Sequence, residues 1–219
     1  MVRLDGLSKS FGTPIEPTLV LENVHLSMGP GEKASLIGPS GSGKSTLLSL
    51  IAGLLRPDTG TVEIDGAAMS ELGDRQRAHV RTHQIGIALQ ADNLIPFLSA
   101  RENVELALGF ARRQSRSSAR ARALDLLERF SVAHRADHRP RQLSGGEAQR
   151  VALAVSMVNE PALLLADEVV ASLDAETAGH VVDEVLDAGF ALLYVTHDVA
   201  LADRVERRYA LDGHELVLR

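Results

Sequence analysis

The sequence predicts an α/β fold with a mostly parallel sheet covered by helices and a small antiparallel layer beside it. After Pro140, apolar strand segments alternate with segments of helical periodicity, which is typical of parallel strands joined by helical crossovers. Near the start of the chain, strand-like segments follow one another without long helices, which favours an antiparallel layer. The chain has 219 residues, enough for one such domain to bury a sizeable core.

The first part of the chain is predicted to contain strands and one helix. Alternating apolar residues at positions 2 and 4 and again from 19 to 26 predict two strands, and a short third strand follows at 34–37. Helical spacing of leucine and isoleucine predicts a helix over 44–55. The turn at Pro57 and Asp58 precedes a predicted edge strand at 60–65.

A helical insert is predicted in the middle of the chain, over 101–130, with an interruption at the Arg/Ser-rich run 112–122. The alternating part then follows. It comprises predicted helices at 146–157, 177–186 and 199–205, predicted strands at 162–166 and 191–196, and a C-terminal strand pair.

Composition excludes several classes of protein and site. The absence of cysteine excludes a disulfide scaffold, a thiol nucleophile and a zinc-thiolate site. No apolar run reaches the 18 or so residues of a membrane span, and the N-terminus lacks a signal-peptide core, so we expect a cytoplasmic protein. Lys and Arg number 23 against 29 Asp and Glu, and this net charge of −6 argues against general nucleic-acid binding.

The charges are unevenly distributed. Residues 101–150 contain eleven arginines and six acids, whereas residues 151–203 contain ten acids and no Lys or Arg. Solvated helix faces are the ordinary explanation. The functional alternative is a basic lobe that meets an anionic surface and an acidic lobe that handles a metal ion.

The most specific motif is glycine-rich and lies between the predicted strand at 34–37 and the following helix. Backbone N–H groups of such a loop surround phosphate oxygens, Lys44 reaches the β- and γ-phosphates, and the Ser45 hydroxyl can bind Mg²⁺. A plain glycine-rich turn is the alternative. The predicted phosphate-binding residues are Gly38, Pro39, Ser40, Gly41, Ser42, Gly43, Lys44, Ser45 and Thr46.

Two carboxylates, Asp167 and Glu168, follow an apolar strand, and ligands of α/β sheets bind at the carboxyl ends of strands. Asp167 is the candidate to hold Mg²⁺ through water, and Glu168 is the candidate general base that activates the attacking water. Any buried strand can end in acids, so the pair is weak evidence alone. Together with the phosphate-binding loop (P-loop) at residues 38–46, the pair indicates nucleotide hydrolysis.

A second helix opens with Ser144, Gly145 and Gly146, which would present a hydroxyl and exposed amides to an anion. One nucleotide does not need two phosphate-binding loops in one chain. An ordinary helix N-cap is the alternative.

Six motifs resemble, in order and approximate spacing, those of the ATP-binding cassette (ABC) ATPases, and the similarity spans essentially the whole chain. They are the P-loop, Gln90, and residues 143–147, 163–168, 172–174 and 196–198. The resemblance implies a RecA-like P-loop core and antiparallel β-subdomain (1–90 and 146–219), with a helical subdomain at about 91–145. It also implies ATP and Mg²⁺ as cofactors, and a head-to-tail homodimer in which each ATP lies between one chain's P-loop and the other's signature at Ser144.

The same resemblance implies roles for four more residues. Phe11 would stack on adenine, Gln90 would contact Mg²⁺ and sense the transporter, Asp174 would lie on the dimer face, and His197 would contact the γ-phosphate. For Phe11 and His197 the alternative is an ordinary core side chain.

Within the superfamily, residues 133–140 and 102–104 are most similar to the lipoprotein-release and macrolide-export branch. This implies an ATP-hydrolysing subunit, peripheral on the inner face of the cell membrane, that drives a permease acting on an envelope, lipoprotein, peptide or drug-like substrate. The alternative is a signalling ATPase whose membrane partner activates a cell-wall hydrolase. A P-loop GTPase is disfavoured because the chain has no Asn-Lys-x-Asp motif. A soluble ABC protein that acts on ribosomes or DNA is also disfavoured, because such proteins generally carry two cassettes and this chain has room for one.

The segment from Gln90 to Leu98 has apolar side chains in a region that Pro96 marks as loop, and in the resemblance it receives a cytoplasmic helix of the permease. The alternative is that the four large apolar side chains of this segment, Leu94, Ile95, Phe97 and Leu98, fold back as core of the helical insert.

Some residues depart from the family pattern or suggest a different site. Val169 and Val170 stand where the family usually has Pro-Thr, and Ala148 stands where a long polar residue is common. These departures bear on the rate of ATP hydrolysis and on the fit between the two chains of the dimer, and not on the type of reaction. Histidines four residues apart, at 79 and 83 and at 134 and 138, have the spacing of a metal pair, but solvated helix histidines are the simpler interpretation.

Overall fold

A computed structural model of the chain describes residues 1–13, 15–89, 94–111, 115–170 and 172–219. The chain divides into two compact units. The first unit comprises Met1–Arg81 with Ala191–Arg219, and the second comprises Thr82–Phe190. None of the described helices combines the length and the apolar character that a membrane span requires.

Within its described residues, the first unit contains two groups of strands and three helices, of which the second helix runs past the unit boundary. In chain order the elements are β1 (Val2–Gly12), β2 (Pro17–Met28), β3 (Lys33–Ile37), α1 (Lys44–Ile51), β4 (Thr59–Ile64), β5 (Ala67–Ala68), α2 (Asp74–Gln84), β8 (Ala191–Val195), α7 (Val199–Ala202), β9 (Arg207–Asp212) and β10 (Glu215–Leu218).

One group is a four-stranded antiparallel sheet in the order β2-β1-β4-β5. Val2 pairs with Met28 on one side and with Ile64 on the other, and all three side chains are buried. The alternating apolar residues of the sequence thus form one buried face, and the predicted antiparallel layer is confirmed. The prediction of β4 as an edge strand is wrong, because the two-residue strand β5 pairs with its outer side.

The other group is built on β3, which pairs in parallel with both β8 and β9, while β10 is antiparallel to β9. Every residue of β8 is buried, and so are Ala34 to Leu36 of β3. Continuous apolar runs of this kind are typical of parallel strands that are covered on both faces.

Two helices of the first unit are shorter than predicted. Helix α1 ends at Ile51 because Gly53 adopts a left-handed φ of 66°, which is typical of helix C-termini. Helix α7 has only four residues, and a turn in which the Arg204 amide donates to the Leu201 carbonyl follows it.

The described part of the second unit contains a parallel strand pair and four helices. They are β6 (Ile85–Leu89), α3 (Ala100–Ala111), α4 (Arg116–Arg129), α5 (Gly145–Met157), β7 (Leu163–Asp167) and α6 (Ala175–Asp187), with short 3₁₀ turns at Ala133–Arg135 and Pro140–Gln142. Strands β6 and β7 pair from Ile85 with Leu163 to Leu89 with Asp167. Helix α2 and the strands β5 and β6 were not predicted from the sequence.

Helices α3, α4 and α5 form the apolar core of this unit. Their inward positions are fully or almost fully buried, and they include Val104, Leu108, Leu126, Leu127, Val151 and Leu153. The predicted interruption at 112–122 is too long, because α4 already begins at Arg116. Ser115 caps it by accepting a hydrogen bond from the Ser118 amide at 3.2 Å.

Candidate functional site

The P-loop of the first unit connects β3 to α1. Gly43 precedes the helix with φ 103°, a conformation that residues with side chains rarely adopt. A Cβ atom at Gly43 would also lie 2.9 Å from Val20 Cγ1. Sterics therefore require glycine at this position, and the loop amides lie at the N-terminus of an eight-residue helix, a favourable place for phosphate.

Lys44 is 8% exposed and its ammonium group lies inside the loop. It donates to the carbonyls of Gly38 and Pro39, each at 2.8 Å. The buried Ser42 Oγ has no hydrogen-bond partner among the residues that the structure describes. A third ammonium proton and a buried hydroxyl are thus available in the loop for an oxyanion.

His197 lies at the same sheet edge as the P-loop. Leu36 and Val195 are partners in the parallel pair β3–β8, so the residues after each strand emerge together. The Asp198 amide donates to Thr196 Oγ1 at 3.0 Å, and the Asp198 carboxylate accepts from the Ala200 amide at 2.9 Å. Because His197 is exposed, the alternative of a buried core histidine is wrong.

Phe11 lies near the end of β1 and is 43% exposed, so the alternative of a core residue is also wrong here. The Lys9 ammonium lies 5.5 Å from the ring centroid and forms an ion pair of 2.7 Å with Asp58. The hydrogen bond from Lys9, together with one from the Ser10 amide, lowers the pKa of Asp58. An accessible ring of this kind can stack on a planar base.

In the second unit, Asp167 is the last residue of β7 and Glu168 follows it; both are half-buried. Their oxygen atoms are hard donors of the type that Mg²⁺ prefers. Glu168 adopts a left-handed φ of 50°. Asp167 pairs with Leu89, the last residue of β6. Gln90, the predicted site residue directly after Leu89, lies outside the described residues.

Ser144 is the N-cap of α5 and forms a reciprocal capping box with Glu147. The Glu147 amide donates to Ser144 Oγ at 3.3 Å, and the Ser144 amide donates to Glu147 Oε2 at 2.7 Å. These hydrogen bonds confirm that Ser144 is a helix N-cap. They leave the Ser144 hydroxyl proton available to donate, and Gly145 next to it is exposed.

Glu147 is the centre of a charge cluster. Its Oε1 atom accepts from Arg135 Nε at 2.8 Å, and His134 Nε2 lies 3.5 Å from the same oxygen. The backbone hydrogen bond from Ser144, followed by that from the Arg135 guanidinium, lowers the pKa of Glu147 to about 2. The carboxylate that completes the cap is therefore ionised at every physiological pH.

Asp174 is the exposed N-cap of α6, where it accepts a hydrogen bond from the Thr177 amide at 3.0 Å. This bond lowers the pKa of the Asp174 carboxyl. Val169 and Val170, the departures from the family pattern, are both buried. The apolar pair therefore belongs to the packing of this unit.

A groove of about 760 Å³ lies in the second unit and is lined by Pro96, Phe97, Asp137, Arg139, Arg141 and Gln142. Phe97 is 70% exposed, so the alternative that its ring belongs to the core is wrong. Leu94 is buried, so the core alternative is confirmed for this side chain. Residues 90–93 of the predicted docking segment lie outside the described residues. Asp137 pairs with Arg101 at 3.0 Å, which neutralises the carboxylate of the groove.

The buried Asn103 side chain holds the loop that carries Phe97. Its Oδ1 accepts from the Ile95 amide at 2.7 Å, and its Nδ2 donates to the carbonyl of Ser99 at 2.9 Å. In the sequence, Asn103 is notable only as part of the segment 102–104 that resembles the family. The available sequence signal for its role was a polar residue on the apolar side of a predicted helix.

Among the residues that the structure describes, neither histidine pair forms a metal site with a third ligand. Within the described ranges, no group of three or more His, Asp or Glu side chains could hold a metal ion. His79 and His83 lie on α2, whereas His134 lies in a 3₁₀ turn and does not share a helix with His138. Ser45 in the first unit and Asp167 in the second each carry an oxygen ligand of the kind that Mg²⁺ binds.

Sequence reasoning missed Gln149, a half-buried residue of α5. Its side-chain amide contacts the backbone of both Glu168 and Ser172. Nothing in the sequence distinguishes this glutamine from a solvated helix residue, since its partners lie about 20 residues away.

Comparison with known proteins gives consistent results. The family model described as ABC transporter matches residues 21–171. The lipoprotein-releasing system ATP-binding protein LolD of Cereibacter sphaeroides is 46% identical over 227 residues, covering 99% of each chain. LolD 1 of Rhodopirellula baltica is 40% identical over 223 residues, covering 100% of this chain and 97% of the relative.

Among solved structures, the chain is similar to a dimeric post-hydrolysis state of the ATP-binding cassette MJ0796 bound to ADP and Pi. The TM-score is 0.96 at 38% identity, and the match covers 100% of this chain and 98% of the other. A second dimeric structure of MJ0796, described as a bacterial ABC transporter cassette, gives a TM-score of 0.94 at 37% identity.

Proposed function

Because the chain belongs to the ABC transporter family, whose ATP-binding subunits hydrolyse ATP, we propose that it drives a membrane permease that releases lipoproteins from the membrane. The observation that carries this proposal is the full-length similarity, at 40–46% identity, to relatives named as lipoprotein-releasing ATP-binding proteins. A permease for peptides or drug-like molecules, and a signalling partner, are the other outcomes of the test below.

We assign the nucleotide contacts to the residues of the first unit. The amides and side chains of residues 38–46 bind the phosphates, with Lys44 on the β- and γ-phosphates. Phe11 stacks on adenine, and His197 contacts the γ-phosphate. The accessible Phe11 ring, the loop ammonium group and the exposed imidazole support these roles.

Ser45, Asp167 and Gln90 are the residues that would hold Mg²⁺. When bound, the ion neutralises charge on the phosphate oxygens. The chain itself supplies the general base. The Glu168 carboxylate accepts a proton from water as the water oxygen forms a bond to the γ-phosphorus, and the bond from that phosphorus to the leaving ADP oxygen breaks.

We assign Ser144, Gly145, Gly146 and Asp174 to the partner face of a homodimer. In this arrangement the Ser144 hydroxyl and the neighbouring amides of one chain bind the phosphate held by the P-loop of the other chain. The dimeric structures of the similar cassette support the arrangement.

The groove beside Phe97 is the proposed docking surface for a cytoplasmic segment of the permease, in the region from Gln90 to Leu98. An exposed aromatic side chain in a concave surface supports this role. Docking would place the chain on the inner face of the cell membrane. The division into a core with β-subdomain (1–90 and 146–219) and a helical subdomain (91–145) remains a prediction.

The substrate can be tested in proteoliposomes that contain this chain, the permease encoded beside its gene, and a fluorescent triacylated lipoprotein. ATP should release the lipoprotein into the aqueous phase in the presence of a soluble lipid-binding acceptor, and Lys44→Ala should abolish the release. ATP hydrolysis that responds to peptides or drugs, without lipoprotein release, would reassign the substrate. Hydrolysis without movement of any solute would favour the signalling alternative.

A further inference from the structure

Ser172 and Leu173, which follow β7, pack against the first turn of α5. A Cβ atom added to Gly146 would lie 2.8 Å from Leu173 Cδ2 and 3.1 Å from the Ser172 carbonyl oxygen. A side chain at this position would require the Leu173 side chain to move and the Ser172 carbonyl to shift by a few tenths of an ångström. The helix that begins at Ser144 is therefore packed directly against Ser172 and Leu173.

Gln149 lies one turn further along α5 and uses both ends of its amide on the same part of the chain. Its Nε2 donates to the Glu168 carbonyl at 3.3 Å, and its Oε1 accepts from the Ser172 amide at 3.4 Å. A carbonyl needs a donor and an N–H needs an acceptor, so the two partners fix the orientation of the amide. Glutamic acid could satisfy only the Ser172 amide, and methionine could satisfy neither partner.

The bond to Glu168 matters because of the backbone conformation at that residue. Its φ of 50° is left-handed, which is unfavourable for a residue with a side chain and persists only where surrounding contacts hold it. The direction of the Glu168 carboxylate depends on this backbone conformation. A contact that holds the carbonyl therefore also fixes where the carboxylate points.

We propose that Gln149 is a positioning residue, which holds the Glu168 backbone in its left-handed conformation and ties it to Ser172 and to the helix that carries Ser144. This inference rests on the proposed role of Glu168 as general base. Gln149 acts on the reaction only through Glu168. Gln149 also connects two parts of the proposed machinery. One is α5, whose Ser144 would bind the nucleotide of the partner chain, and the other is Glu168, which would act on the nucleotide of its own chain.

The test compares steady-state ATP hydrolysis by the full chain and by Gln149→Met, which keeps the size of the side chain but forms neither hydrogen bond. We expect kcat to fall about tenfold, while KM for ATP stays within about twofold. Gln149→Glu should lose at least as much, because its carboxylate faces the Glu168 carbonyl. Gln76→Met is the matched control, since Gln76 accepts a hydrogen bond from the Gly73 amide at 3.2 Å in α2, outside the proposed machinery.

A double-mutant cycle distinguishes positioning from an independent structural effect. If Gln149 acts through Glu168, then Gln149→Met should cause no further loss of kcat in a Glu168→Gln background. A further tenfold loss in that background would overturn the proposal. So would an unchanged kcat for Gln149→Met, measured where circular dichroism shows the variant folded, whether or not its melting temperature has fallen. Near-normal turnover by Glu168→Gln alone would instead overturn the assignment of the base.

Discussion

At the scale of single residues, the candidate site combines groups that local chemistry makes conspicuous with groups that only the fold brings together. Lys44 and Gly43 belong to a loop that glycine content and flanking elements make recognisable from sequence. Glu168 is conspicuous only as an acid at a strand end, and its left-handed φ of 50° appears only in the structure. Gln149 has no sequence signal, because its two partners are backbone groups distant in sequence.

The first prediction concerns Glu168. Glu168→Gln should retain ATP binding but lower hydrolysis by about 10²- to 10⁴-fold, because the amide cannot accept the proton of the attacking water. The variant should also accumulate an ATP-bound dimer, which light scattering would detect. Asp183→Asn, in α6 of the same unit, serves as a control for removal of one negative charge. Turnover near that of the unmodified chain would remove Glu168 from the role of base.

At the scale of elements, regular apolar periodicity predicted most helices and strands, and the three that were missed lack it. Strand β5 has only two residues, too few to show a period. Helix α2 contains only Ala78 and Val80 as apolar residues, so no stripe marks its inner face. Strand β6 has five residues and contains Gly86, which disfavours a strand prediction. The glycine is required there because a Cβ atom would lie 2.4 Å from the Ser156 carbonyl oxygen, a contact that sequence cannot reveal.

Helix α5 gives a prediction about pH and stability. The pKa of Glu147 is lowered from 4.5 to about 2 in the folded state, so its stabilising effect is complete above pH 4.5 and is lost as the pH falls towards 2. The free energy of unfolding of the unmodified chain should therefore exceed that of Glu147→Gln by roughly 2 to 3 kcal/mol at pH 7, and by much less at pH 3. Urea unfolding at both pH values measures the difference.

Arg135→Met provides the companion measurement for this element. Removing the guanidinium that binds Glu147 Oε1 at 2.8 Å should weaken the pH dependence, while the hydrogen bonds from Ser144 preserve part of it. If the stability difference between the unmodified chain and Glu147→Gln is the same at pH 7 and pH 3, the Glu147 carboxylate does not stabilise α5 through its charge.

At the scale of the whole molecule, the site must connect to a membrane partner and to a second copy of the chain. For the membrane partner, Phe97→Asp should weaken binding of the permease by about 2 kcal/mol, a thirtyfold loss of affinity, because an aromatic anchor is replaced by a charged group. Because Phe97 is 70% exposed, the melting temperature should change by no more than about 2 °C. Co-purification with the permease and thermal unfolding measure the two effects, with exposed Phe110→Asp as the matched control. Unfolding of Phe97→Asp, or equal loss of binding in both variants, would contradict the docking assignment.

The second copy of the chain allows a test by complementation. In the proposed head-to-tail dimer, Lys44 and Ser144 act on one nucleotide from opposite chains, so Lys44→Ala and Ser144→Arg should each be inactive alone. A mixed dimer has two nucleotide sites. One site combines the intact P-loop of the Ser144→Arg chain with the intact signature of the Lys44→Ala chain, and the second site contains both substitutions. An equimolar mixture should recover about a quarter of the unmodified rate, because half of the dimers are mixed and each has one intact site of two. Two affinity tags on the two variants confirm that mixed dimers form, and a mixture of two differently tagged Lys44→Ala chains is the control. If Lys44 and Ser144 served one nucleotide within a single chain, neither chain of the mixture would hold an intact site, and confirmed mixed dimers would stay inactive.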